Sequence, residues 1–397
     1  MRKADYLQRI KDVLSDAIER QNIAGANVLV YHKGKELFYC DAGYADKENQ
    51  VPIKRDTIFR LYSMTKPVIG AASMLLMQDG TIDLNESVSK YLPSYSGQKL
   101  STPDGRISPK REPKLADLLA MASGLTSAAD TKTDAGLQIG AVYAEASSRL
   151  MTDNPMTTRE FADAIGRCDL AFEPGERWKY GPSADVMGAV IEAVTGMRLG
   201  DFLKEKLFDP LGMPDTAFFV PHEKQSRLAK TYRETPDGMI EEKGHSLAIQ
   251  NRMETSPAFE SGGAGLSSTI DDYMKFAQML LNDGTANGQQ ILTPKALEYY
   301  SSPHLSEAQL PYFEERWEGS LDGFNYGNFV RILTHPGRSI FMGSPGEYGW
   351  DGALGVYFMN SPLDELSFLF MTQRSGSGTL PVTRRVRNLV FSALSSS

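Results

Sequence analysis

The sequence predicts an α+β protein: an antiparallel sheet formed by both chain ends and flanked by helices, with a mostly helical region inserted between them. Three observations carry this expectation. Runs of β-prone residues cluster toward the two termini, at 27–31 and 36–42 and again at 323–333, 353–360 and 366–372. Helical runs open and close the chain. The long interval from Asp83 to about Gly263 shows mostly helical patterning, punctuated by loops rich in Pro and Gly.

Each element follows from its local pattern. Tyr6, Leu7, Ile10, Val13, Leu14 and Ile18 recur at helical spacing, which makes 5–20 an amphipathic first helix. The period then changes, and the runs 27–31 and 36–42 are joined by His32-Lys33-Gly34-Lys35, with glycine available for a hairpin turn. The apolar run 68–77 follows Pro67 and stops at Asp79-Gly80, as a helix with a glycine stop does. Residues 94–113, rich in Ser, Pro, Gly and charge, read as a long exposed loop; together with a second loop, 126–158, they are expected to set pocket depth. After the last strands, 382–394 closes the chain as a helix. The expected domains are a discontinuous sheet domain, 1–62 with 264–397, and a helical domain, 63–263, with an active site at their junction.

Composition narrows the function classes. With 41% hydrophobic and 23% charged residues in 397, the chain reads as an ordinary soluble globular protein. A net charge of −8 without any long Lys/Arg run argues against nucleic acid as a partner. No window approaches the roughly 20 apolar residues of a membrane span, so no membrane association is expected. The N-terminus, Met1-Arg2-Lys3 followed by Asp5, Arg9, Lys11 and Asp12, shows no secretory signal, and Cys40 and Cys168 read as two reduced core thiols. Both features point to a cytoplasmic protein. Five scattered histidines form no ligand-spaced cluster, so no metal is expected, and no cofactor.

The chemistry starts at Ser63-Met64-Thr65-Lys66, at the mouth of the helical run. Residues i and i+3 share a helix face, so the serine hydroxyl meets the lysine amine. An adjacent amine is one of the few means of activating a serine. Such a catalyst also needs a proton shuttle and two N–H donors for the oxyanion. Two segments could supply them: Phe172-Glu173-Pro174-Gly175-Glu176-Arg177-Trp178-Lys179-Tyr180-Gly181, and the glycine-flanked strand start Tyr348-Gly349-Trp350-Asp351-Gly352-Ala353-Leu354-Gly355.

In order and spacing, Ser63-Met64-Thr65-Lys66, the tyrosine of Pro174-Gly175-x-x-Trp178-x-Tyr180, and Trp350-x-Gly352 resemble the three boxes of the serine β-lactamase and penicillin-binding superfamily. Within it they are most similar to family VIII carboxylesterases, which share the class C β-lactamase fold. Further matches run along nearly the whole chain: Phe59-Arg60-Leu61, Leu118-Leu119 to Ser123-Gly124-Leu125, Pro210-Leu211-Gly212-Met213 and Ser261-Gly262-Gly263-Ala264-Gly265-Leu266. The resemblance implies a β-lactamase-like fold with Ser63 as nucleophile, Lys66 as its activator and Tyr180 as base and later acid, either of the latter two being the first proton acceptor. It implies an oxyanion hole from the backbone N–H groups of Ser63 and Ala353, and substrate contacts at Trp350, Asp351 and Gly352.

Departures from the family pattern refine the expectation. Pro182 stands where β-lactamases carry the asparagine of Tyr-x-Asn, and Trp350-Asp351 stands where they carry Lys-Thr. An aromatic ring beside a carboxylate disfavours an anionic substrate, so uncharged short- or medium-chain acyl esters are expected, with weak β-lactam cleavage. Acyl transfer through the same acyl-serine is the close alternative, because Tyr180-Gly181-x-x-x-Asp185 also resembles statin-side-chain acyltransferases. A β-lactamase or D-amino-acid peptidase and a non-catalytic acylated sensor or scaffold are the others. No Gly-x-Ser-x-Gly occurs, which excludes an α/β-hydrolase elbow. His335 reads as a loop residue, and the aromatic stretch Tyr312, Phe313, Trp317, Phe324, Tyr326 and Phe329 as a candidate acyl pocket shared with ordinary packing.

Overall fold

The computed structural model describes residues 2–236, 238–315, 319–376 and 378–395. The chain opens with helix α1 (Lys3–Glu19) and the hairpin β1 (Gly25–His32) and β2 (Lys35–Asp46), extended by the short β3 (Val51–Pro52). Strand β4 (Ile58–Arg60) then leads into helix α2 (Thr65–Gln78). From the far end come β5 (Phe324–Gly327), β6 (Val330–Leu333), β7 (Tyr348–Asp351), β8 (Tyr357–Ser361) and β9 (Leu366–Thr372). These form one antiparallel sheet in the order β5-β6-β7-β8-β9-β1-β2-β3, so the two chain ends meet where β9 pairs with β1, Ala26 opposite Thr372. The sheet is thus closed by a contact between residues more than 300 positions apart.

Alternation along the central strands divides two cores. Val28, Val30, Phe368 and Phe370 face one side and pack on α1 and on the closing helix, Pro381–Leu394. Leu29, Leu369, Met371 and Phe358 face the other, toward α2 and the helical region. That region contains Asp134–Arg149, Thr158–Gly166, helix α3 (Ser183–Thr195) and Leu199–Leu203. Helix α4 (Ile270–Leu281) returns the chain to the sheet. The closing helix is α5 (Pro381–Leu394).

Several expectations are corrected. The 94–113 loop contains a small hairpin, Leu100–Thr102 with Gly105–Ile107, anchored where Ser101 donates to the Leu170 carbonyl. The 126–158 loop carries the helix Asp134–Arg149, started by Thr133, whose hydroxyl accepts from the Gly136 N–H. Helical structure does not continue to 263: beyond the 3-10 turns at His222–Arg227, the described residues of the segment carry two-to-four-residue strands between 232 and 250. The run 323–333 is two strands joined at Asn328-Phe329, both in the left-handed region at φ 50° and 66°. Such a turn normally takes Gly. Here the Phe329 N–H donates to the Leu119 carbonyl and its ring is fully buried, which holds the strained turn in place. Finally, 353 lies in the turn between β7 and β8, and the strand begins at Tyr357.

Candidate active site

Strand β4 pairs with Ser267–Thr269 and runs straight into a 3-10 turn, Tyr62–Met64, that heads α2. Tyr62 has φ 45°, a strained conformation for a residue with a side chain. Its surroundings hold it: Leu61 N–H donates to the Leu266 carbonyl at 2.9 Å, Leu266 N–H to Thr65 Oγ1 at 3.1 Å and Tyr273 Oη to the Met64 carbonyl at 2.8 Å. Ser63 therefore sits on an over-determined corner at a helix N-terminus.

Three side chains converge there. Lys66, only 4% exposed, donates to Ser63 Oγ at 3.2 Å and to the Gly263 carbonyl at 2.7 Å. Tyr180 Oη donates to Ser63 Oγ at 2.7 Å, and Lys66 Nζ lies 4.6 Å from the Tyr180 ring centroid. Tyr180 reaches the site from the segment just before α3, where Gly181 passes so close to Thr126 that a Cβ would meet its carbonyl oxygen at 2.7 Å. Lys66, three positions along the chain, and Tyr180, 117 positions along it, thus both donate to the Ser63 hydroxyl.

The third segment is placed differently from its expected role. Trp350, expected to touch substrate, is 1% exposed; its ring stacks on Tyr180 (6.0 Å, 18°) and meets Tyr326 edge-on. It is a backing for the tyrosine. Asp351 is neutralised: it pairs with Arg331, which is 2% exposed, at 3.0 Å and accepts from Thr379 Oγ1 at 2.5 Å. The carboxylate charge that was expected to repel anions is therefore compensated from beneath the strand. Gly352 packs against the corner itself, since a Cβ there would lie 2.2 Å from the Leu61 carbonyl oxygen. This contact sets Ala353, which is exposed, beside the serine turn. Among the described residues, neither the Ser63 nor the Ala353 N–H donates to a protein acceptor.

The aromatic stretch packs behind the site. Phe313 and Tyr326 are fully buried against Trp178 and one another, Phe324 and Phe329 lie in the core, and Tyr312 is exposed under Arg177. Trp317 lies outside the described residues. His335 precedes the short turn Pro336–Arg338, in the loop position expected of it.

Sequence reasoning left Asp185 without a role. It is 3% exposed and accepts from Ser261 Oγ (2.5 Å), the Gly263 N–H (3.0 Å) and Tyr143 Oη (3.3 Å). Burial raises its carboxyl above the usual range, against the opposing pull of the Ser261 hydroxyl and the Lys66 charge. Burial likewise pushes the Tyr143 phenol well up. The signal was present in Ser261-Gly262-Gly263, whose glycines are needed because a Cβ at 262 or 263 would strike the Ala184 carbonyl or the Asp185 carboxylate. Among the described residues, no cluster of His, Cys, Asp and Glu is arranged to hold a metal, and no helix is long and apolar enough to cross a membrane.

A buried lysine and a phenol hydrogen-bonded to one serine at a helix N-terminus, on an α+β scaffold of this topology, define a serine hydrolase. A model of the Beta-lactamase family matches residues 10–391, and the chain belongs to that family. It is 29% identical to Protein Rv1367c of Mycobacterium tuberculosis over 364 residues, 88% of this chain and 86% of that one. Esterase EstB of Burkholderia gladioli is 26% identical over 417 residues, covering 98% of this chain and 96% of its own. The solved structure of EstCE1, described as a hydrolase with promiscuous acyltransferase activity, superposes with a TM-score of 0.82 at 23% identity, covering 98% and 99% of the two chains.

Proposed function

We propose that the protein is a carboxylesterase that hydrolyses uncharged short- or medium-chain acyl esters through an acyl-Ser63 intermediate, with slow cleavage of reactive β-lactams as a side activity. The observation that carries the reading is the pair of hydrogen bonds meeting at Ser63 Oγ, from Tyr180 at 2.7 Å and Lys66 at 3.2 Å. In the forward step Ser63 Oγ bonds to the ester carbonyl carbon while its proton passes to the Tyr180–Lys66 pair. The carbonyl oxygen, now negative, takes the N–H groups of Ser63 and Ala353. Collapse breaks the bond to the alcohol oxygen, which leaves with the proton from Tyr180. Water then attacks the acyl-serine by the same route, returning the Ser63 proton.

Two features favour an uncharged substrate. Pro182 offers no amide where the family carries one, and Arg331, the cation next to the third segment, is engaged by Asp351. The resemblance to Esterase EstB supports ester hydrolysis. The likeness to EstCE1, a hydrolase with promiscuous acyltransferase activity, favours a second reading, transfer of the acyl group to an alcohol in place of water. Residence in the cytoplasm belongs to the same reading, supported by two buried free thiols, Cys40 and Cys168. The test is turnover of p-nitrophenyl butyrate and nitrocefin. Ser63→Ala is expected to lower ester kcat by roughly a thousandfold or more and Tyr180→Phe by about a hundredfold or more. Unchanged ester turnover in Ser63→Ala would refute the assignment, and a product mixture dominated by acylated alcohol would favour transfer.

A further inference from the structure

The ester-hydrolase reading leaves open what the acyl chain carries, and the inference drawn here rests on that reading. We propose that the enzyme selects acyl groups bearing an uncharged hydrogen-bonding oxygen, a hydroxyl or ketone, through a polar compartment centred on Asn251. The compartment is a cavity of about 170 Å³ bordered by Tyr62, the residue before the nucleophile, and by Ala353. None of Ser63, Lys66 and Tyr180 borders it, and it adjoins the serine turn through Tyr62 and Ala353. A leaving alcohol must face the Tyr180 hydroxyl to be protonated, so the space on the Tyr62 and Ala353 side receives the acyl chain. At about 30 Å³ per water it has room for a short chain only.

Its wall is polar. Thr231, Ser246, Asn251 and Ser375 line it together with Glu242 and Lys243, the lysine 78% exposed and paired outward with Glu241 at 3.7 Å, so a plain alkyl chain would strip the neutral groups of water without replacing their hydrogen bonds. Asn251 is the group best placed to reward an oxygen. Its Oδ1 accepts from Tyr62 Oη at 3.4 Å, and its Nδ2 reaches Thr231 Oγ1 and the Glu242 carbonyl, both also at 3.4 Å. All three contacts are at the outer limit of useful geometry, so the amide retains capacity for a shorter bond to a ligand. Its backbone, by contrast, is fixed. Arg60, 6% exposed, donates from Nε (2.6 Å) and Nη2 to the Asn251 carbonyl and from Nη1 to the Ala229 carbonyl at 2.6 Å. Arg60 ends β4, three residues before Ser63, so one side chain registers the amide against the nucleophile.

The test compares kcat/KM for p-nitrophenyl 3-hydroxybutyrate and p-nitrophenyl butyrate, which differ by one hydroxyl. The wild type is expected to prefer the hydroxylated ester by about tenfold, the worth of one well-formed hydrogen bond. Asn251→Leu, of similar size, should bring the ratio to near one, and Thr231→Val should reduce it severalfold. A wild-type ratio of one or less overturns the proposal, as does a ratio that Asn251→Leu leaves unchanged. Both esters are measured on the same sample, so partial loss of folded protein cancels. If Asn251→Leu yields no folded enzyme, Thr231→Val decides. Failure of the underlying reading looks different: the wild type turns over neither ester, or Ser63→Ala turns over both.

Discussion

Lys66 reaches Ser63 across one helical turn, and its second bond, to the Gly263 carbonyl, fixes the direction of approach. Gly263 is held in turn through its N–H by Asp185, which touches none of the reacting atoms. Asp185 is therefore a positioning residue, and two readouts separate that role from a merely structural one. Burial raises its carboxyl in the folded state above the ordinary 3.8. A raised carboxyl favours the fold when protonated, so its contribution is complete below the unfolded value and is lost as pH rises through the folded one. Asp185→Asn cannot titrate. The wild type's stability relative to the variant, read as the urea midpoint, should therefore decline as pH rises above about 4. An asparagine also turns an N–H₂ toward one of three donors, loosening Gly263, and kcat for p-nitrophenyl butyrate should fall about ten- to a hundredfold. Unaltered kcat would remove Asp185 from the positioning of Lys66.

At the scale of elements, legibility followed how local the determinants were. Helix α2 was readable because its apolar run lies within its own 14 residues and its glycine stop, Gly80, two residues beyond them, and the Ser-x-x-Lys turn came with it. Strand β9 was readable from a continuous apolar run, buried on both faces. The 217–263 segment was not, because its strands are too short to show a period and are held by distant partners: Ala229 N–H on the Ile58 carbonyl, Tyr232 N–H on that of Gln373. Trp350 and Asp351 were legible as positions but not as contacts, since their partners Tyr180 and Arg331 come from other elements. The glycine run before β4's partner strand was legible as a motif and became explicable only when α3 was seen against it. There a Cβ on Gly262 would lie 2.4 Å from the Ala184 carbonyl oxygen. Gly262→Ala should therefore push α3 from the site, costing about 1–3 kcal/mol of stability and lowering kcat. Gly337→Ala, where a Cβ meets nothing within 4 Å, is the control expected to change neither. Equal melting temperatures for the two variants would count against close packing as the reason for the glycine.

Across the whole molecule, a buried charged network ties the last helix to the strand that presents Gly352 and Ala353. Arg387 of α5 is fully buried and forms a two-pronged pair with Glu347, at 2.7 and 2.5 Å, while its Nη1 also donates to Tyr357 Oη at 2.7 Å. Glu347 immediately precedes β7, and Arg331 on the neighbouring strand lies 4.9 Å over the same Tyr357 ring before it reaches Asp351. The C-terminal helix thus grips the start of β7 through buried charge, while Arg331 of the neighbouring strand holds its end at Asp351. Such a pair contributes little net stability relative to apolar residues, but removing one partner leaves a charge stranded. Arg387→Met is expected to cost about 3–5 kcal/mol by urea denaturation, and Arg387→Met combined with Glu347→Met to recover a large part of that loss. If the network also holds the turn that carries Ala353, ester kcat in the folded fraction of Arg387→Met should fall with the stability and return in the double variant. A double variant that regains stability without regaining turnover would separate the two effects, and would show that α5 secures the fold without governing the geometry beside Ser63.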